Sequence, residues 1–350
     1  MPTPRDRSAV SAKRTARCPN KLPLLCAPSF HRRGIHVNDH RESETSARAG
    51  AAERGAGPTS RRSISPLIVG CLAATWLIWG STYLVIRFAL VGFAPFFLMA
   101  TRFACAGTLL MIWQLARGAR PPTRREWLDA AVVGTLMIGG GMGCVAFSEM
   151  TIASGLVVAF LAVTPLILVV MNLAFGVRPP RSELVAVCLG FAGVLMLTQG
   201  EGIRASPVGL AAIMIGCTGW SLGSMLSLRS LPLAPGATGF ASQMLCGAAA
   251  LFVISALRGE PWHWPSAWGP LLSWFYLVAF GTLIAFSAYM LLLARTTTSI
   301  AASYTLVNPV VALLLGVTWG REIVTAREWI AVSVILVGVV LLFVSRRPAS

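Results

Sequence analysis

Residues 154–178 read SGLVVAFLAVTPLILVVMNLAFGVR, and residues 298–322 read TSIAASYTLVNPVVALLLGVTWGRE. The second stretch returns 144 residues after the first, with Pro165 falling on Pro309. The segments that follow repeat as well: ELVAVCLGFAGVLML (183–197) against EWIAVSVILVGVVLL (328–342), matching Glu183 with Glu328, Ala186 with Ala331 and Gly193 with Gly338. Register is therefore kept across two consecutive hydrophobic segments. Such a duplication within one apolar chain is a sequence mark of secondary transporters.

Working outward, 55% of the 350 residues are hydrophobic and 12% are charged, too few charges for the surface of a soluble globule. A helix needs about 20 apolar residues to cross the roughly 30 Å hydrocarbon core. Ten stretches meet that need, near 66–86, 95–115, 128–147, 154–174, 183–199, 207–227, 237–256, 269–290, 299–319 and 328–345. Lipid offers backbone groups no hydrogen-bond partner, so only helices or a closed barrel can span it, and runs this long without alternation exclude the barrel. The expectation is an all-α integral membrane protein of ten transmembrane helices.

The net charge of +16 reads as topology and not as a nucleic-acid footprint. Residues 1–63 hold 13 basic and five acidic residues, a net +8, and the remainder carries the other +8. With the N-terminus inside, the cytoplasmic side holds Arg117, Arg120, Arg124, Arg125, Arg178, Arg181, Arg229, Arg295, Arg346 and Arg347. The opposite side holds Arg87, Arg204, Arg258, Arg321 and Arg327. This asymmetry follows the positive-inside rule and puts both termini in the cytoplasm.

Residues 1–63, rich in Arg, Ser, Ala and Pro, read as a disordered basic tail. Arg61-Arg62 before an apolar run resembles a twin-arginine signal, and Ile68-Val69-Gly70-Cys71 a lipoprotein cleavage box. The apolar run nevertheless continues through Val85 and nine more follow, so an uncleaved first helix fits better. An over-extended gene start is a third reading of the tail. The eight cysteines show no C-x-x-C spacing, and Cys18 and Cys26 with His31, His36 and His40 match no usual zinc pattern. No metal or cofactor is expected.

Five spans per copy is an odd number, so the second copy inserts upside down. The copies, 64–199 and 206–346, are then related by a pseudo-two-fold axis in the membrane plane, around a central cavity that rocking opens to either side. Gly134, Gly139, Gly140, Gly141 and Gly143 enrich the third helix. With no preceding strand and no Lys-Ser/Thr, they serve helix packing and not phosphate binding. Trp113, Trp127, Trp262, Trp264, Trp268, Trp319 and Trp329 fall at helix ends as interface anchors, with Trp274 slightly further in. Trp76, Trp79 and Trp220 lie inside the first and sixth helices, as packing residues or as an aromatic wall.

Trp79-Gly80-Ser81-Thr82-Tyr83, the Pro95…Arg102-Phe103 stretch and Ala153-Ser154-Gly155…Thr164-Pro165 resemble the EamA repeat of the drug/metabolite transporter superfamily. In the second half, Gly219-Trp220-Ser221, Ala288-Tyr289-Met290, Ser303-Tyr304…Asn308-Pro309 and Gly320-Arg321-Glu322 resemble it again. The likeness covers about 64–346 and is greatest to YedA-like inner-membrane permeases. It implies a ten-helix basket in a bacterial inner membrane that exports small metabolites, often amino-acid-like, or amphipathic drugs, in exchange for protons or another gradient. One departure is that Arg178 stands where the fourth helix usually ends on an acidic residue, whereas Glu322 occupies the equivalent place in the ninth.

Charges at membrane depth are functional candidates by default. Arg102, a third of the way into the second helix, suits a substrate carboxylate, a structural ion pair or snorkelling. Glu149, just past the third helix, is a coupling carboxylate if desolvated and a loop carboxylate otherwise. Glu322 is a coupling candidate, or a partner of Arg321 or Arg327, or a helix cap. Pro165 and Pro309 are paired breaks that point to a hinge or a site near the midplane. Trp79, Tyr83, Trp220, Gln243, Tyr289, Tyr304 and Asn308 are the remaining candidate cavity groups. The expected partners are the lipid bilayer, a small-molecule substrate and a second copy of the chain, with no nucleic acid.

Competing classes fare worse. One histidine, His263, and one aspartate, Asp129, in the hydrophobic part are too few for a membrane enzyme. A channel more often repeats pore segments by oligomer symmetry. Import or exchange by the same fold stays open beside export.

Overall fold

The computed structural model describes residues 66–174, 176, 179–199, 206–296, 298–301 and 303–345. The basic tail and Arg178 lie outside the described residues. Within them the chain is helical, without strands. The helices are α1 (Pro66–Ala89), α2 (Pro95–Ala116), α3 (Arg124–Ser148), α4 (Ser154–Leu161 and Thr164–Ala174) and α5 (Arg181–Thr198). They continue as α6 (Pro207–Arg229), α7 (Ala237–Leu257), α8 (Trp268–Arg295), α9 (Tyr304–Thr318) and α10 (Ala326–Ser345).

Among the described residues, seven of these are long and apolar enough to cross a membrane, namely α1, α2, α3, α4, α6, α7 and α8. α9 is apolar but only 15 residues long, because the chain turns at Ser303 before it. α5 has 18 residues, a rise of about 27 Å at about 1.5 Å per residue. Large side chains such as Leu77, Leu128 and Ile215 stay exposed on outward faces, where lipid would meet them.

Local signals set the helix ends. Thr123 caps α3 in a capping box with Glu126, whose carboxylate also binds Arg120. Inside α3 and α8, however, the helix widens into π-helical stretches at Thr135–Met142 and Leu277–Ile284. The sequence reading of two plain spans did not anticipate these. The expected glycine packing does occur: a Cβ at Gly134 would collide with the Gln243 backbone carbonyl oxygen, and one at Gly141 would lie 3.2 Å from the Trp220 ring.

The two copies interlock instead of standing side by side. α2 packs along α7 and α5 along α10; α1 crosses to α8 and α9, while α6 crosses to α3 and α4. Exchanging the copies leaves this pattern unchanged. Among the described residues two large apolar cores result, one around α4, α5 and α10 and the other around α2, α3 and α7, with a smaller cluster at Cys71, Leu292 and Ala301.

Adding one methyl at Gly134 drives a side chain into backbone atoms, whereas Gly70 has open space around it. Gly134→Ala is expected to lose about 1–3 kcal/mol and Gly70→Ala none, checked by unfolding in detergent micelles.

Candidate functional site

Trp79 stands midway along α1. Its indole Nε1 donates to the Gly281 carbonyl at 3.1 Å, inside the π-helical stretch of α8. The ring meets Tyr304 edge-on with centroids 4.8 Å apart and Tyr289 at 5.4 Å; the two tyrosines are themselves T-shaped at 5.6 Å. Such edge-to-face contacts are the favoured aromatic geometry. Asn308 is buried below them. With its amide nitrogen turned toward the carbonyls, it donates to Trp76 and Tyr304, each at 3.2 Å. Trp76 in turn donates to the Ser303 hydroxyl at 3.0 Å.

Arg102 adjoins this wall through α8. Its Nε donates to the Thr282 hydroxyl at 3.0 Å and its guanidinium lies 4.9 Å over Phe103. Arg102 is buried, 3% exposed, and within electrostatic reach of Tyr83 and Glu149. No carboxylate salt bridge to it is formed among the described residues. Thr282 and the Gly281 carbonyl, which link cation to aromatic wall, escaped sequence reasoning; the lone Gly281 carried no signal.

Glu149 follows α3 by one residue and is 2% exposed. Neither of its carboxylate oxygens has a hydrogen-bond partner. Burial, then the nearby Glu322 carboxylate, holds its carboxyl well above the usual carboxylate range, against the opposing pull of Arg87 and Arg102.

Glu322 is bound very differently. Its carboxylate accepts from Ser154 N at 2.9 Å, Ser154 Oγ at 2.7 Å and Gly155 N at 3.2 Å, and pairs with Arg87 at 2.8 Å. It therefore caps the N-terminus of α4 from the other copy. The partners anticipated from sequence, Arg321 and Arg327, are not used; Arg327 binds Gln199 instead. The cap is reached because Arg321 adopts a left-handed φ of 51° at the end of α9. Gly316 also leaves room, since a Cβ there would collide with the carboxylate.

The other candidates are placed elsewhere. Gln243 is buried with its amide on the Met137 sulfur at 3.3 Å, and Trp220 rests on Gly141 of α3. Pro165 is the second residue of the distal piece of α4, directly after the interruption at Ala162–Val163, while Pro309 lies inside α9. Among the described residues, no group of three His, Cys, Asp or Glu side chains is arranged to hold a metal ion.

A family model described as "EamA-like transporter family" matches residues 66–199 and 207–344. The chain is 36% identical over 281 residues to the "Uncharacterized inner membrane transporter YedA" of Escherichia coli (strain K12), covering 80% of this chain and 91% of that one. It is 24% identical over 269 residues to the "Protein PecM" of Dickeya dadantii (strain 3937), covering 76% and 86%. A solved crystal structure shares the fold with a TM-score of 0.55 at 22% identity, over 81% of this chain and 99% of that one.

Removing the Glu322 carboxylate strands two backbone donors, a hydroxyl and a cation. Glu322→Ala is expected to cost about 2–4 kcal/mol, and Arg87→Ala, whose side chain is 42% exposed, at most about 1. Denaturant unfolding in micelles separates the two; equal losses would mean that the ion pair and not the helix cap holds the carboxylate.

Proposed function

The chain belongs to the EamA-like transporter family, and we propose that this membrane transporter is a secondary active exporter of small amphipathic metabolites or drugs. The single observation that carries this reading is the Trp79–Tyr289–Tyr304 wall beside the buried Arg102. A buried cation without a carboxylate partner is costly to a fold and suits an anionic group on a ligand. The aromatic rings offer flat apolar surface at low entropic cost. Together they favour a substrate with an apolar body and a carboxylate or similar anion.

In this reading ten spans form two inverted five-helix repeats, with both termini in the cytoplasm of a bacterial inner membrane. The interlocked packing supports the inversion, because each copy's first helix crosses to the third and fourth spans of the other. So does a second repeat feature: Trp79 of α1 binds the π-helical stretch of α8, and Trp220 of α6 rests on that of α3. The interruption of α4 and Pro309 in α9 serve as hinges for alternating access. Glu149 is the group that exchanges a proton in each cycle, being desolvated and unpartnered.

The test is gradient-driven transport in reconstituted vesicles, with insertion of each variant verified. Arg102→Gln and Glu149→Gln are each expected to slow proton-driven efflux by more than about tenfold, roughly 1.4 kcal/mol. Unchanged transport in both would remove these residues from the mechanism. Uptake where efflux is expected would replace export with import on the same fold.

A further inference from the structure

Arg87 lies within reach of two carboxylates and hydrogen-bonds one. It donates to Glu322 at 2.8 Å, while Glu149, also within its electrostatic reach, is left with neither oxygen bonded. Both carboxylates are buried, at 7% and 2% exposure. Arg102 is the other cation within reach, but neither it nor Arg87 hydrogen-bonds Glu149, and a desolvated carboxylate anion without a hydrogen-bond donor is costly in low dielectric. The arrangement therefore belongs to a neutral Glu149.

We propose that Glu149 is the protonation switch of a gate on the outer face, in which Arg87 is exchanged between Glu322 and Glu149. This rests on the transport reading and topology given above. With Glu149 protonated, Arg87 stays on Glu322, and Glu322 clasps Ser154 and Gly155 at the start of α4. α1, α4 and α9, from both copies, are then tied together and the outer face is shut. When Glu149 loses its proton to water, the new anion draws Arg87 away, Glu322 loses its counter-charge, and the clasp on α4 loosens. The charged and titratable groups facing Glu149 are Arg87 and Tyr83 from α1, Arg102 from α2 and Glu322 after α9. Arg102 is the cation that keeps an ionised Glu149 tolerable once Arg87 has moved. The left-handed backbone at Arg321 holds Glu322 in the clasp at a conformational cost.

The sign follows from the raised carboxyl of Glu149. At low pH the gate is closed; as pH rises through that group's own range, the open population grows by about tenfold per pH unit for a one-proton switch.

The test uses the full chain in lipid vesicles, with its native cysteines replaced and spin labels at Val91→Cys and Ile323→Cys. Both positions are exposed at the outer ends of α1 and α9, 84% and 88%. Pulsed dipolar spectroscopy is expected to show a single short distance at acid pH and a growing longer one as pH rises. Glu149→Gln is expected to stay short at every pH, Glu322→Gln to be long at every pH, and Glu149→Asp to restore the transition at a shifted midpoint. A distance that ignores pH in the parent chain, or a transition that survives in Glu149→Gln, overturns the switch. A membrane-impermeant paramagnetic quencher separates this from the topology: quenching from the cytoplasmic side alone overturns the outer-face assignment, whatever the pH response.

Discussion

A buried helix end without hydrogen-bond partners is not stable in an apolar interior, and the start of α4 obtains its partners from the other copy of the repeat. Glu322 supplies them, accepting two backbone N–H groups and a hydroxyl while paired with Arg87. Three features serve that one contact: the glycine at 316, the left-handed Arg321 and the cation at the end of α1. α1, α4 and α9 meet there, so in the proposed switch this contact decides whether that face of the protein is shut. A second carboxylate, Glu260, does a similar service for α2, accepting from Phe96 N and Phe97 N. Both capped helices belong to the first copy and both caps to the second. The copies are thus sewn together at this end by polar bonds.

Nearer mid-span, aromatic rings and backbone carry the contact between copies. Trp79 reaches the Gly281 carbonyl where α8 widens, and Trp220 packs on Gly141 where α3 widens. π-Helical turns often mark functional sites, and here each lies under the tryptophan of the opposite copy. One of the two contacts also adjoins the buried Arg102, through Thr282. The symmetric frame therefore holds an asymmetric site, with cation and tyrosines on the Trp79 side and the Gln243–Met137 pair on the other.

Much of the fold was legible in the residues. Hydrophobic length and the Pro165/Pro309 register lead to an all-helical membrane chain written twice, and the glycine run predicts close packing of the third helix. The family is readable from short motifs such as Trp79-Gly80-Ser81-Thr82-Tyr83. Tyr289, Tyr304, Asn308 and Trp79, all candidates from sequence, come together in the fold; a polar or aromatic side chain inside a span has few reasons to face lipid. The same reasoning named Gln243 and Trp220, which the fold places against α3 and away from the other four, because composition along one helix does not say which neighbour that face meets. The role of Arg87 was invisible for a related cause: its partner is 235 residues away, and nothing local to either residue announces the pairing. The π-helical stretches left no clear trace, as widening depends on what packs against the helix and not on propensity alone.

The central claim is that Glu149 carries a proton while Arg87 rests on Glu322. Infrared difference spectroscopy of the reconstituted protein tests it most directly, comparing the parent chain with Glu149→Gln near neutral pH. The account predicts a protonated-carboxyl C=O band in the parent that is missing from the variant and fades as pH is raised. Absence of that band, with only ionised-carboxylate absorption assignable to Glu149, would contradict it.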